Sequence, residues 1–192
     1  MTSNNKENKP YINRNIRPGD FIVASKWIGI EGALEIIDHK RDEIEKRFSP
    51  SFMRYFKDYE ASLSTEKECS TGDSFMIKET ICVAEGGIFK ALGELAKISG
   101  RGLEVDIKKI PVRQEVIEIC NFFDISPYEM KSRGMVLMVL KEPEALVEYL
   151  KNEGVPATVI GKIRDDNDKL ILNGEAVRYL DKIKQDSVEK IL

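Results

Sequence analysis

The sequence predicts an α/β fold, in the α+β sense of a mixed sheet covered by helices. Three observations carry that expectation. Short apolar runs and amphipathic stretches alternate along the 192 residues. Met135-Val136-Leu137-Met138-Val139-Leu140 is a continuous apolar run, too short to span a bilayer and right for a strand buried on both faces. Residues 134–172 read strand, helix, strand, strand, which is part of a ferredoxin-like unit.

The elements follow in order. Residues 1–16 form a mobile tail, rich in Asn and Lys, and residues 17–192 a single domain. Arg17-Pro18-Gly19-Asp20 is a turn signal, and Phe21 to Trp27 reads as a strand. Leu34, Ile37 and Ile44 have helical spacing, which predicts one helix from Ala33 to Lys46. Ser49-Pro50 is an N-cap followed by a first-turn proline, opening a second helix to Tyr59. Ala61 to Asp73 is polar and reads as a linker or surface loop. Phe75 to Cys82 reads as a strand. The next helix sets Ile88, Ala91, Leu92 and Leu95 on one face and stops at Gly100. A strand (103–107), a helix (114–123), the strand 134–140 and a helix (143–152) come next. Strands near 157–163 and 169–172 are joined by Asp165-Asp166-Asn167-Asp168, read as a hairpin-type turn. Glu175 to Leu192 reads as a final amphipathic helix.

Composition narrows the function classes. Apolar content of 42% excludes a wholly disordered chain, and the length supports a core without a staple. The net charge of −3 gives no general attraction to nucleic acid, and Lys40, Arg41, Lys46 and Arg47 alternate with acids. Three cysteines, odd in number and without metal-type spacing, fit a reduced, cytoplasmic chain with no metal site and no membrane segment.

The chemistry-bearing stretch is Cys82-Val83-Ala84-Glu85-Gly86-Gly87-Ile88-Phe89-Lys90. It reads as strand end, glycine pair and first helical turn. Such a turn aims unpaired backbone N–H groups at one point, where anions bind. The bland alternative is a tight turn that needs glycine's backbone freedom. Glu85 would repel a phosphate unless a cation intervened, or would complement the helix N-terminus. Cys82 beside that terminus is the thiol to test as a nucleophile, although Ile81, Val83 and Ala84 offer it no base. Cys120 falls on an apolar helical face. His39, in a charged helix, supports no catalytic triad. The Asp165–Asp168 run lacks the length and distal Glu of a calcium loop.

Taken with Pro18-Gly19-Asp20, Lys26-Trp27-Ile28-Gly29-Ile30-Glu31-Gly32, Ile110-Pro111-Val112-Arg113 and Lys131-Ser132-Arg133-Gly134, this stretch resembles the C-terminal domain of the AIR synthase superfamily, on the branch of the hydrogenase-maturation dehydratase. The resemblance covers about residues 18–163. It implies a fold that works with an N-terminal domain holding most of an ATP and magnesium site. The residues before Phe21 cannot form such a domain, so the expectation is a C-terminal domain standing alone. The family loop reads His-Asp-x-Thr/Ser-Glu-Gly-Gly; here Ile81, Cys82 and Ala84 replace its polar positions, while Glu85, Gly86 and Gly87 remain. The branch's C-terminal cysteine has no counterpart in Glu189-Lys190-Ile191-Leu192. The expected function is therefore a binding or accessory domain without ATP-dependent catalysis by itself. The alternative is one subunit of a split ATP-dependent enzyme, with ATP and Mg bound only alongside a partner. Expected partners are a second copy, through an exposed face near Trp27, Ile28 and Ile30, or a chain carrying the N-terminal half. The expected ligand is of phosphate type, held at Glu85, Gly86 and Gly87. The resemblance brings Arg113 and Lys131 toward the same end as cationic helpers.

Overall fold

The computed structural model describes residues 15–71, 74–182 and 185–192. Its centre is one seven-stranded mixed sheet in the order β2-β4-β1-β5-β3-β6-β7. The strands are β1 (Phe21–Ser25), β2 (Glu79–Cys82), β3 (Leu103–Asp106), β4 (Val136–Leu140), β5 (Ala157–Ile163), β6 (Lys169–Asn173) and β7 (Ala176–Tyr179). The helices are α1 (Ile30–His39), α2 (Arg41–Arg47), α3 (Pro50–Tyr59), α4 (Glu66–Cys69), α5 (Gly87–Ser99), α6 (Gln114–Phe122) and α7 (Glu144–Asn152). No helix among the described residues is long and apolar enough to cross a membrane.

Side-chain alternation decides which face each strand residue serves. Ile22 and Ala24 of β1, with Leu137 and Val139 of β4, pack under α5 through Ile88, Leu92 and Leu95. Val23, Val136, Met138 and Leu140 turn to the other face and meet Leu146 and Leu150 of α7. A third cluster joins α1, α2, α3 and α6 around Ile36, Ile44, Phe56, Ile119 and Met130. β4 and β5 both pair antiparallel with β1, so they run parallel to each other with β1 between them. That is the split β-α-β arrangement of a ferredoxin-like unit.

Several local expectations are corrected. The helix read from Ala33 to Lys46 is two helices, broken at Lys40 (φ −114°, ψ 30°), where α2 changes direction to bury Ile44. Asp165–Asp168 does not close a hairpin. β5 and β6 are not neighbours, because β3 lies between them, antiparallel to β5 and parallel to β6. The aspartate run instead holds the start of β3, with Gly102 N–H donating to Asp166 C=O at 2.5 Å and Leu103 N–H to Asp168 C=O at 2.9 Å. Among the described residues the final helix is absent. Gly174 (φ +63°) reverses the chain, Val177 and Tyr179 form the edge strand β7, and Val188–Lys190 is a single 3-10 turn. The polar stretch 61–73 contains α4 and buries the Glu68 side chain completely. Ile28 and Ile30 are fully buried, so they form no exposed face; Trp27 is half-buried.

Candidate functional site

β2 ends at Cys82, and Val83 N–H donates to Met135 C=O at 2.9 Å, so the loop leaves the sheet beside β4. Ala84 and Glu85 are exposed. Gly86 (φ +77°) and Gly87 (φ +65°) then turn the chain into α5, a conformation that favours glycine. Gly87 is also packed from behind. A Cβ there would lie 2.5 Å from Tyr128 O and 2.8 Å from both Met130 N and Met130 O. Its N–H bonds to Ala84 C=O at 3.1 Å. The second glycine of the pair is therefore required by close backbone packing of α5 on residues 128–130, a contact also marked by Phe89 stacked on Tyr128.

The first glycine presents the N–H group of interest, and it has a protein acceptor. Gly86 N–H donates to Asp186 Oδ2 at 2.6 Å, across a buried contact 100 residues apart in sequence. Asp186 Oδ1 accepts from Val188 N–H at 2.9 Å. The segment is fastened on both sides: Ser187 N–H donates to Glu129 C=O at 3.0 Å, and Val188 is buried in the α1/α6 cluster. A carboxylate from the C-terminal segment thus sits where a bound anion would meet Gly86 at the amino end of α5.

In front of the loop lies a depression of about 430 Å³. Cys82, Glu85 and Gly87 line it together with Glu31, Lys90, Glu94 and Arg133. Glu31 is already engaged: its Oε2 accepts from Arg133 N–H at 2.9 Å, and Oε1 lies 3.4 Å from Arg133 Nε. Lys90 lays its aliphatic stem over Gly86. With Glu85 and Glu94 facing the same space, three acids stand against two cations.

The two expected cationic helpers part company. Lys131 lies on the Asp186 side and pairs with Glu35 at 2.8 Å. Partial burial pulls its ammonium down, but the Glu35 hydrogen bond and charge, then Asp186 and Glu31, outweigh that and hold it above the usual lysine value. Arg113 is elsewhere, with its guanidinium carbon 3.8 Å from the Trp27 ring centroid. Cys82 does line the depression, but its thiol is pushed up, first by burial and then by Cys69 and Glu68. That direction opposes thiolate formation. Burial alone pushes Cys120 up to about 12. His39 is exposed, its Nδ1 3.0 Å from Glu35 O.

A triphosphate does not fit this loop as it stands. Gly86 N–H is spent on Asp186, Gly87 is walled by backbone, and Ile81, Cys82 and Ala84 supply no oxygen or nitrogen side-chain atom. Reading from sequence missed Asp186, Glu31, Lys90, Glu94 and Arg133. Asp186-Ser187-Val188 did carry a signal, an aspartate whose side chain takes the N–H two residues on.

Comparison with known proteins gives the family and the fold. Residues 17–173 match the model of the AIR synthase related protein, C-terminal domain. The chain is 24% identical over 167 residues to the phosphoribosylformylglycinamidine synthase subunit PurL of Methanopyrus kandleri, covering 84% of this chain and 22% of that protein. It is 25% identical over 166 residues to the carbamoyl dehydratase HypE of Azotobacter vinelandii, covering 81% and 44%. It superposes on E. coli HypE, a hydrogenase maturation protein, with a TM-score of 0.74 at 16% identity over 91% of this chain and 53% of that one. A structure of HypE in complex with ATP gives 0.68 at 21% identity, over 93% and 55%. The chain spans less than half the length of these curated relatives, and the structural likenesses show the fold.

Proposed function

Since the chain belongs to the family of AIR synthase related proteins, C-terminal domain, we propose that it is a binding or accessory domain of the hydrogenase-maturation type. On this reading it does not carry out ATP-dependent catalysis by itself. The observation that supports this most is the contact between Gly86 N–H and Asp186. The helix end that would hold an anion is closed by the protein's own carboxylate, and the loop before it is apolar at Ile81, Val83 and Ala84. What remains open is the face holding Glu85, Lys90, Glu94 and Arg133, a charged rim suited to docking a second polypeptide.

A second reading is one subunit of a split ATP-dependent enzyme. It is favoured by the likeness to a HypE solved with ATP, of which this chain spans 55%. The partner would then be a chain carrying the remaining half, and the Asp186 segment would have to leave Gly86 when the halves meet. A homodimer is the remaining arrangement.

The test is a magnesium-dependent ATPase assay on homogeneous chain, alone and with any partner recovered by pull-down from the native cell. The accessory reading expects no turnover in either case, together with a stable complex or self-association by sedimentation. Turnover that appears only with the partner establishes the split enzyme. Turnover by the chain alone, abolished by substitution in the Glu85–Gly87 loop, overturns both.

A further inference from the structure

Two of the three cysteines, Cys69 and Cys82, are exposed, and the fold brings them to one edge of the sheet. Cys82 ends β2, an outer strand, and Cys69 ends α4. The register fixes the direction of Cys82. Ser25, Val136 and Cys82 form one row across β1, β4 and β2. Ile81 packs on the α5 side, so strand alternation turns Cys82 to the opposite face, with Val136. α4 is anchored on the same row. Its Glu68 side chain is completely buried, with Oε1 accepting from Ser25 Oγ at 2.9 Å. Ser25 Oγ in turn accepts from Val136 N–H at 3.2 Å. Cys69 directly follows Glu68. Its N–H donates to Thr65 C=O at 3.0 Å, and the next turn is held by Thr71 Oγ1 donating to Glu68 C=O at 2.7 Å. The two thiols are consequently near neighbours. Burial is the first cause of the raised Cys82 thiol, and the second is Cys69, through its charge and hydrogen bonding, ahead of Glu68. Such an influence acts over about 4–6 Å.

We propose that Cys69 and Cys82 are a site of reversible oxidation, closing an intramolecular disulfide at the expense of a low-molecular-weight disulfide such as oxidised glutathione. The Cys69 thiolate attacks one sulfur of the oxidant. The oxidant's S–S bond breaks, one glutathione thiolate leaves, and Cys69 is held as a mixed disulfide. Cys82 then loses its proton to water and attacks the Cys69 sulfur, which releases the second glutathione. Two protein thiols are oxidised, the oxidant is reduced to two thiols, and the two protons pass through water to the departing thiolates. Burial holds Cys82 protonated and makes it the second thiol, where its proximity to the mixed disulfide offsets a low thiolate fraction. Cys120 is buried and takes no part. The bond ties α4 to the end of β2, immediately before the Val83–Gly87 loop.

The test treats homogeneous folded chain with oxidised glutathione, blocks remaining thiols with N-ethylmaleimide, and reads the products by intact mass and non-reducing peptide mapping. The expected product is a monomer lighter by two hydrogens, with the Cys69 and Cys82 peptides joined and Cys120 unmodified. Dithiothreitol should restore both thiols. Cys82→Ser, a change at an exposed position, should halt the reaction with one glutathione on Cys69. The disulfide closes a short loop, residues 69–82, so the urea midpoint of the oxidised chain should rise by about 1 M over the reduced chain. In Cys82→Ser the same treatment should leave the midpoint unchanged. Separate glutathione adducts on Cys69 and Cys82 without a joined peptide, a disulfide between two chains, or no oxidation of the folded chain overturns the proposal. A joined peptide whose formation lowers the urea midpoint also overturns it, because α4 would then have to leave its place for the thiols to meet.

Discussion

Two buried carboxylates, Asp186 at the amino end of α5 and Glu68 at the carboxyl end of β1, differ in how their hydrogen-bonding capacity is used. Asp186 spends both oxygens on backbone N–H groups, those of Gly86 and Val188. Glu68 gathers Ser25 and Lys26 on one oxygen and leaves the other without a partner among the described residues. The first region resembles a site and is closed by the chain itself. The second lies in a stretch that reads as a polar loop and has an unmet acceptor. A glycine pair before a helix announces where an anion could bind, but only the rest of the fold decides whether that place is already taken.

The largest expected effect breaks the second region. Glu68→Ala strands Lys26 as an uncompensated buried charge and should destabilise the fold by about 3–5 kcal/mol, read from the urea midpoint. Lys26→Met combined with Glu68→Leu should lose much less, because two apolar side chains of similar size need no pairing. A Glu68→Ala cost below about 1 kcal/mol would mean that the pair is solvated and the contrast with Asp186 is false. The next effect is smaller. Asp186→Ala removes the acceptor for two backbone N–H groups and should cost about 1–2 kcal/mol, with Asp186→Asn recovering part of it. Inorganic phosphate should then raise the unfolding midpoint of Asp186→Ala more than that of wild type, because it reoccupies the freed helix end. Equal phosphate response in the two proteins would remove the anion-site interpretation of Gly86.

The layers of the fold were legible because burial in a sheet repeats every second residue. Val136 to Leu140 buries both faces and is apolar throughout, while Leu103, Glu104, Val105 and Asp106 alternate as a half-covered strand must. The α5 helix was legible from its apolar face and from Gly100, which closes it at φ +64°. Pairing was not legible. Two strands joined by Asp165–Asp168 look alike whether they form a hairpin or admit β3 between them. Ile28 and Ile30 are apolar residues among glycines, and nothing local tells that the neighbouring Gly29 packs against Val116 and Met130, where a Cβ would approach to 2.8 and 3.2 Å. The site suffered most from distance along the chain. Glu68 meets a partner 43 residues away and Asp186 one 100 residues away, so each reads locally as a solvated charge.

The smallest expected effect lies where the two regions touch. Cys82 lines the α5 depression and also feels Glu68. A helix amino end favours a thiolate, whereas burial, the Cys69 thiol and the Glu68 carboxylate disfavour it, and the balance is an upward shift. A raised thiol pKa leaves the protonated form dominant to higher pH, so the reactive fraction at neutral pH falls. The rate of Cys82 alkylation by iodoacetamide, followed by peptide mass spectrometry, should therefore reach its midpoint above the ordinary cysteine value of about 8.5. Removing the Glu68 charge in the Lys26→Met, Glu68→Leu pair should lower that midpoint only slightly, because burial is the larger cause. Cys120, held up to about 12 by burial, should stay unlabelled until the protein is unfolded. A Cys82 that reacts at pH 7 faster than free cysteine would show the α5 helix end overriding both burial and Glu68, and would return this thiol to the list of nucleophiles.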